Sequence, residues 1–242
     1  MKIKCKFYGI GLGPGDPGLV TLKALKAMQD ADIIYTVASR QGTLSVSGKI
    51  VASLTGITAE CRELTFAMNK DWQDRLSTIS GHAQAIAGEL RKDKICAFAT
   101  IGDSLTYSTC SYLVNILENI IPELDKSIIP GVNSWSALAA VYGKIPLVED
   151  IERLTIIPGY LEPDKAEIAR VLQNSETIVF LKTYRTRNRI IELLREFSVE
   201  ILYGANVGLE NQFISDDINQ IIDRGEEYLS MLIVKAKKTK NR

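Results

Sequence analysis

The residues best placed to do chemistry lie in three glycine-bearing turns. The first runs Tyr8-Gly9-Ile10-Gly11-Leu12-Gly13-Pro14-Gly15-Asp16-Pro17-Gly18-Leu19-Val20-Thr21-Leu22-Lys23-Ala24. Glycines there allow positive φ and let another molecule approach bare backbone. Pro14 and Pro17 fix φ and remove donors, so the loop is bent and stiff. Strand, tight turn and helix suggest a nucleotide fold, yet the dinucleotide fingerprint fails. Counted from Gly9 its third glycine falls at Pro14, and counted from Gly11 it falls at Asp16. No acidic residue ends the next strand, 33–37, to take a ribose hydroxyl.

The second turn is Ala99-Thr100-Ile101-Gly102-Asp103-Ser104-Leu105-Thr106-Tyr107-Ser108-Thr109. Asp103 can accept from an amine, and the amides around it can hold a carboxylate. Equally, Asp103 can be a helix N-cap, with Ser108 and Thr109 filling a packed helix. The third turn is Ile128-Ile129-Pro130-Gly131-Val132-Asn133-Ser134. Each turn follows a strand. Three strands of one sheet deliver their carboxyl ends to one edge, where open α/β sheets bind ligands.

The elements that position these turns alternate through the first half. Strands are expected over 3–10, 32–37, 57–64, 94–100 and 127–130, with helices over 18–29, 43–54, 71–91 and 105–119. Thr43 is the expected cap of the second helix. This order argues a mostly parallel five-stranded sheet covered on both faces. Residues 131–143 read as a loop entering a tightly packed helix. Beyond them come strand 153–157, helix 163–173, strand 177–182, helix 187–197, strand 199–207, a turn through Gly208, and a last strand, 228–236. Consecutive late strands suggest a second α/β domain with a mixed sheet, the domains being 1–130 and 131–242.

Composition bounds the rest. The chain has 242 residues and zero formal net charge, so no global field draws nucleic acid or an anionic membrane. Residues 235–242 are basic and read as a solvated tail. Cys5, Cys61, Cys96 and Cys110 are scattered without a C-x-x-C pair, as suits reduced thiols of a cytoplasmic protein. The single histidine, His82, has no Cys or His companion at metal-ligand spacing, so no metal is expected. No apolar run reaches membrane-spanning length, and the N-terminus has no signal-peptide core.

Gly11-Leu12-Gly13-Pro14-Gly15-Asp16-Pro17, with Leu19-Val20-Thr21-Leu22-Lys23-Ala24, resembles the signature of the tetrapyrrole methylases, which use S-adenosylmethionine. The Gly102-Asp103 turn with Tyr107-Ser108-Thr109, and the Pro130-Gly131-Val132 turn, match that family's second and third motifs in order and spacing. Residues 101–109 followed by Ile145-Pro146-Leu147-Val148-Glu149 look most like the precorrin-2 / cobalt-factor II carbon-20 methyltransferase branch, of cobalamin biosynthesis. The resemblance spans nearly the whole chain, down to Met231-Leu232-Ile233-Val234-Lys235. Where many relatives carry Gly-Asp-Pro this chain has Gly102-Asp103-Ser104, which keeps the turn feasible but frees φ.

The resemblance implies two α/β domains with S-adenosylmethionine in a trough between them, S-adenosylhomocysteine as product, and a homodimer. Implied cofactor contacts are Gly102, Asp103, Ser104, Leu105, Thr106, Tyr107 and Ser134, then Tyr184, Asn206, Val207 and Ile233. Gly13, Pro14, Gly15 and Asp16 would line the substrate side. A reduced tetrapyrrole carries many carboxylates, for which Arg40, Lys70, Arg75, Lys182, Arg185, Arg187 and Arg189 are candidate donors. The run 182–189, with Lys182 and Arg185 first, gathers four of them; alternatively it is a solvated helix start. Trp135 and Tyr107 can stack on the ring or pack within a domain. No catalytic residue is singled out, because an electron-rich ring carbon needs alignment more than a strong base. Other readings are a different tetrapyrrole methylation or an rRNA or diphthamide methylase; a non-catalytic nucleotide binder lacks its motifs. Neutral charge argues against an rRNA partner.

Overall fold

The computed structural model describes residues 6–38, 45–66, 72–144, 147–161 and 163–237. The expectations placed on Cys5, Arg40, Thr43, Lys70, Asp71, Ile145 and Pro146 lie outside the described residues. The chain divides into two compact units, Met1–Asn133 and Ser134–Arg242.

The first unit is a parallel sheet of β1 (Lys6–Gly11), β2 (Ile33–Ala38), β3 (Glu60–Thr65), β4 (Cys96–Thr100) and β5 (Asp125–Ile129), in the order β3-β2-β4-β1-β5. In register, Gly11 of β1 faces Thr100 of β4, and Ile10 faces Ile129 of β5. The three strands that carry the glycine turns are thus immediate neighbours. All five run the same way, so the turns emerge at one edge.

Alternation along β1 serves two cores. Tyr8, Ile10 and Leu12 pack with α1 (Leu22–Asp30) and α2 (Val46–Ser53) on one face. Phe7 packs with α3 (Trp72–Leu90) and α4 (Thr109–Ile120) on the other. Burial on both faces is what a central parallel strand demands. In α3 the buried residues Ile79, Ala83, Ile86, Ala87 and Leu90 recur at helical spacing and form its inward stripe.

Two helix starts differ from the sequence expectation. The first helix begins at Leu22 rather than Gly18, because Thr21 caps it by accepting from the Ala24 amide at 3.1 Å. Residues 17–19 form a separate 3-10 turn capped by Asp16. The helix expected from Leu105 begins at Thr109, with Ser108 as cap. Residues 101–108 are left as an extended turn.

The second unit opens with α5 (Ser134–Tyr142), which precedes β6 (Leu154–Pro158), α6 (Lys165–Asn174), β7 (Thr177–Leu181), α7 (Arg187–Leu194) and β8 (Val199–Ala205). β9 (Phe213–Ser215), α8 (Ile218–Ile222) and β10 (Ser230–Ala236) complete it. The sheet order is β6-β7-β10-β8-β9, with β6 and β7 parallel and β10 antiparallel to both β7 and β8. β9 and α8 had no sequence expectation, being a three-residue strand and a five-residue helix. Such short segments show too few turns of pattern to declare a period.

Leu232 and Val234 of β10 face the core shared with α6, α7 and α8. On the opposite face, Leu138 of α5 packs so closely on Gly204 that a Cβ there would lie 2.6 Å from Leu138 Cδ2. Lys235 is not part of a solvated tail. It closes β10, where its Nζ donates to Glu152 Oε2 at 2.9 Å with both side chains about nine-tenths buried.

Candidate functional site

In the first unit the three turns are knotted together. Gly13 and Gly102 form an isolated antiparallel bridge, the Gly102 amide donating to Gly13 O at 2.7 Å and the Gly13 amide to Gly102 O at 3.2 Å. The Leu12 amide donates to Thr100 O at 2.8 Å. Both glycines are left-handed, at φ +81° and +74°, a region that side chains disfavour. Gly131 closes the knot: a Cβ there would sit 2.1 Å from Gly102 O and 2.8 Å from the Gly11 carbonyl carbon.

Asp103 is the fastener of the second turn. Its Oδ1 accepts from the Leu105 amide at 3.0 Å, the Thr106 amide at 2.9 Å and Thr106 Oγ1 at 2.8 Å. Its Oδ2 accepts from the Gly131 amide at 3.2 Å, which ties the second turn to the third. Partial burial raises the carboxyl pKa, but hydrogen bonds from Thr106, Leu105 and Gly131 outweigh it and hold the group below the ordinary aspartate value. Asp103 is therefore neither a helix N-cap nor an unengaged acceptor for an amine. Ser104 is fully buried, its Oγ donating to Ile129 O at 3.0 Å. In place of a proline's fixed φ the turn has a hydrogen bond to the end of β5. Its hydroxyl braces the loop from within.

The glycines divide by role. A Cβ at Gly9 would fall 2.7 Å from Cys110 Sγ, and one at Gly11 2.5 Å from the Gly131 amide nitrogen. These two admit the protein's own helix and backbone rather than a ligand, which corrects the expectation for that part of the loop. At Gly102 nothing lies within 4 Å of where a Cβ would be. The open approach is there. Leu105 and Tyr107 stand beside it, 56% and 47% exposed, and Tyr107 is left-handed at φ 51°. In the first loop Gly13, Pro14 and Gly15 are buried while Asp16 is exposed, its Oδ1 accepting from the Gly18 amide at 2.7 Å.

The second unit has its own convergent edge. β7 ends beside the start of β10, and so does β8. Lys182, just past β7, is left-handed at φ 59°, and Asn206, just past β8, at φ 51°. For a non-glycine residue that region costs about 1–2 kcal/mol, so neighbours must hold it. The Lys182 amide donates to Ser230 O at 2.8 Å, and the Asn206 amide to Leu229 O at 2.8 Å. Tyr184 packs on Tyr228 with ring centroids 5.5 Å apart. Val207 is buried beside this edge. Thr186 is buried too, and its Oγ1 has no hydrogen-bond partner. Two left-handed backbones held by one short segment, residues 229–230, mark this edge.

Other expected site residues fall elsewhere. Ser134 is the first residue of α5. Ile233 lies mid-strand, paired with Val179 and Leu202 and only 7% exposed, so it is away from the Lys182–Asn206 edge. Arg185 is exposed, 3.7 Å from Glu226. Arg187 is buried and its guanidinium is engaged within the fold, so it is no solvated carboxylate receptor. Trp135 is 8% exposed, which makes it a packing residue of α5. Sequence reasoning missed the Tyr228–Ser230 segment, which looks like plain strand until the start of β10 is seen to lie between the ends of β7 and β8. Among the described residues no cluster of three His, Cys, Asp or Glu could hold a metal, and no helix is long and apolar enough to cross a membrane.

A doubly wound parallel unit with knotted glycine turns, followed by a mixed-sheet unit, is the architecture of a known class. The family model of the tetrapyrrole (corrin/porphyrin) methylases matches residues 6–219, and the chain belongs to that family. Among relatives, it is 32% identical over 239 residues to the probable cobalt-precorrin-2 C(20)-methyltransferase of Methanocaldococcus jannaschii, covering 97% of each chain. It is 33% identical to the cobalt-precorrin-2 C(20)-methyltransferase of Salmonella typhimurium, covering 79% of this chain and 78% of that one. The fold is shared with uroporphyrin-III C-methyltransferase of Thermus thermophilus, solved with S-adenyl homocysteine. There the TM-score is 0.64 at 20% identity, over 95% of this chain and 92% of that one.

Proposed function

We propose that this protein is an S-adenosylmethionine-dependent methyltransferase acting on carbon-20 of cobalt-precorrin-2 in cobalamin biosynthesis. The observation that carries the reading is the 32% identity to the Methanocaldococcus jannaschii relative along 97% of both chains. Metal-free precorrin-2 is the other candidate substrate, since the methylated ring position would be the same.

The cofactor contacts are assigned to Gly102, Asp103, Ser104, Leu105, Thr106, Tyr107 and Ser134, and in the second unit to Tyr184, Asn206 and Val207, Ile233 being set aside for its place in mid-strand. Gly102 has open space where a Cβ would stand, whereas Ser104 is buried and serves by fixing the turn through its hydroxyl. The substrate side is assigned to Gly13, Pro14, Gly15 and Asp16, with Arg40, Lys182 and Arg185 receiving carboxylates. S-adenosylmethionine, when bound, supplies an electrophilic methyl group on a positively charged sulfur. The chain's own work is to align the two reactants and exclude water. The Asp103 knot serves alignment, because four hydrogen bonds fix the turn before any ligand arrives.

The protein is placed in the cytoplasm as a homodimer. The free thiols Cys61, Cys96 and Cys110 suit a reducing compartment, and sedimentation equilibrium tests the dimer. The function is tested with methyl-labelled S-adenosylmethionine and cobalt-precorrin-2, precorrin-2 or uroporphyrinogen III. Label at carbon-20 of either of the first two is expected. Label only in uroporphyrinogen III refutes the carbon-20 assignment.

A further inference from the structure

A buried cation stands at the start of α7. Arg187 is 5% exposed, and its guanidinium lies over the Tyr203 ring, 5.3 Å from the centroid. Nη1 donates to Gly225 O at 3.0 Å and lies 3.3 Å from the Tyr203 hydroxyl, while Nη2 donates to Arg224 O. Nε donates to Asn188 Oδ1 at 3.0 Å. A planar fork of fixed donors is suited to gripping two successive carbonyls at once, and a lysine cannot reproduce it. The gripped segment is fastened a second time. Tyr203 Oη donates to Glu227 Oε2 at 3.1 Å, and Arg224 pairs with Glu227.

What the grip holds is the approach to β10. Directly after residues 224–227 come Tyr228, packed on Tyr184, Leu229, whose carbonyl receives the Asn206 amide, and Ser230. The Ser230 carbonyl receives the amides of Lys182 at 2.8 Å and Thr183 at 3.3 Å. Residues 228–230 are therefore the common support of both left-handed residues and of the Tyr184 ring.

We propose that Arg187 is a positioning residue for the cofactor: its clamp on the 224 and 225 carbonyls sets residues 228–230, which set Lys182, Tyr184 and Asn206. The proposal rests on the methyltransferase reading above and assigns Arg187 no contact with either reactant. It separates Arg187 from Arg185, its exposed neighbour two residues earlier.

The test uses the full chain. KM for S-adenosylmethionine and kcat are measured with the accepted tetrapyrrole, Kd for S-adenosylhomocysteine by calorimetry, and the melting temperature alongside. Arg187→Met is expected to raise that KM and Kd about tenfold with kcat at saturation within about threefold, the pattern of lost binding rather than lost chemistry. Arg187→Lys, keeping the charge but not the fork, falls between. Ile168→Ala is the control: Ile168 is fully buried in the same core on α6, so it lowers the melting temperature while leaving KM within about twofold. Should Arg187→Met not fold, Tyr203→Phe, which removes the hydroxyl that joins Arg187 to Glu227, is expected to raise KM about threefold. Unchanged cofactor affinity in the folded Arg187 variants, or in Tyr203→Phe, overturns the proposal. So does an equal KM rise in Ile168→Ala. A wild-type protein that binds no S-adenosylhomocysteine instead sinks the methyltransferase reading itself.

Discussion

Substituting Gly131 by alanine is the sharpest probe of the knotted turns. The new Cβ would lie 2.1 Å from Gly102 O, 2.8 Å from the Gly11 carbonyl carbon and 2.9 Å from Gly11 O. All three neighbours are backbone, so no side-chain rotation relieves the overlap. Restoring an ordinary contact of about 3.4 Å to Gly102 O needs a shift of roughly 1.3 Å, far beyond what a packed interior gives freely. A shift of that size breaks the 3.2 Å bonds from the Gly13 amide to Gly102 O and from the Gly131 amide to Asp103 Oδ2. Each lost bond costs about 1 kcal/mol, and overpacking adds about 1–3 kcal/mol. The sum, about 3–5 kcal/mol, lowers the melting temperature by roughly 10–20 °C at about 4 °C per kcal/mol. Differential scanning calorimetry reads this directly. Gly102→Ala is the companion, since its Cβ meets open space and only the φ of +74° resists, at about 1–2 kcal/mol. If Gly131→Ala melts within about 3 °C of wild type, or no lower than Gly102→Ala, the close approach of the three turns is refuted.

Three further outcomes follow from the same geometry. Asp103→Asn places an amide where the Gly131 amide needs an acceptor, and is expected to cost about 2 kcal/mol at pH 7. The folded pKa of Asp103 lies below its unfolded value, so this stabilisation is whole above about pH 4 and fades as pH falls through the folded pKa; acid titration of the stability difference checks the sign. Lys235→Met takes the cation away from the buried Glu152 carboxylate, which keeps the Glu149 amide as donor, and is expected to cost roughly 3 kcal/mol, most of it recovered by Lys235→Met/Glu152→Leu, as read by urea denaturation. Burial pushes the Cys96 and Cys110 thiols up to about 12, so iodoacetamide at pH 8 is expected to spare both while labelling the exposed Cys61, as read by peptide mapping.

How much of this was legible beforehand depended on the range of the interaction involved. Elements of the first unit were readable because α3 repeats its apolar stripe from Ile79 to Leu90 and β1 is buried from Phe7 to Gly11, both local patterns. The convergence of the three turns on one edge followed from the parallel direction of their strands, while the adjacency of β4, β1 and β5 came only with the structure. Helix starts were misplaced where two caps competed: Asp16 and Thr21 before α1, Asp103 and Ser108 before α4. A side-chain oxygen offers a cap at any of these positions, and only the surrounding packing chooses among them.

Finer assignments lay beyond a linear reading. Arg187 and Arg185 are two residues apart in one basic run, yet one is buried against Tyr203 and the other is exposed beside Glu226. Nothing in their shared neighbourhood separates them, because the difference is made by residues 203 and 224–226, distant in sequence. The same is true of the glycines. By itself the sequence determined the parallel unit, its glycine turns and the family they belong to, since these rest on periodicity and on motifs of fixed spacing. Only the tertiary structure decided that Gly9, Gly11 and Gly131 admit the protein's own atoms while Gly102 faces open space. That choice depends on which backbone or side-chain atoms lie within 3 Å of the place a Cβ would take, a contact between segments tens of residues apart.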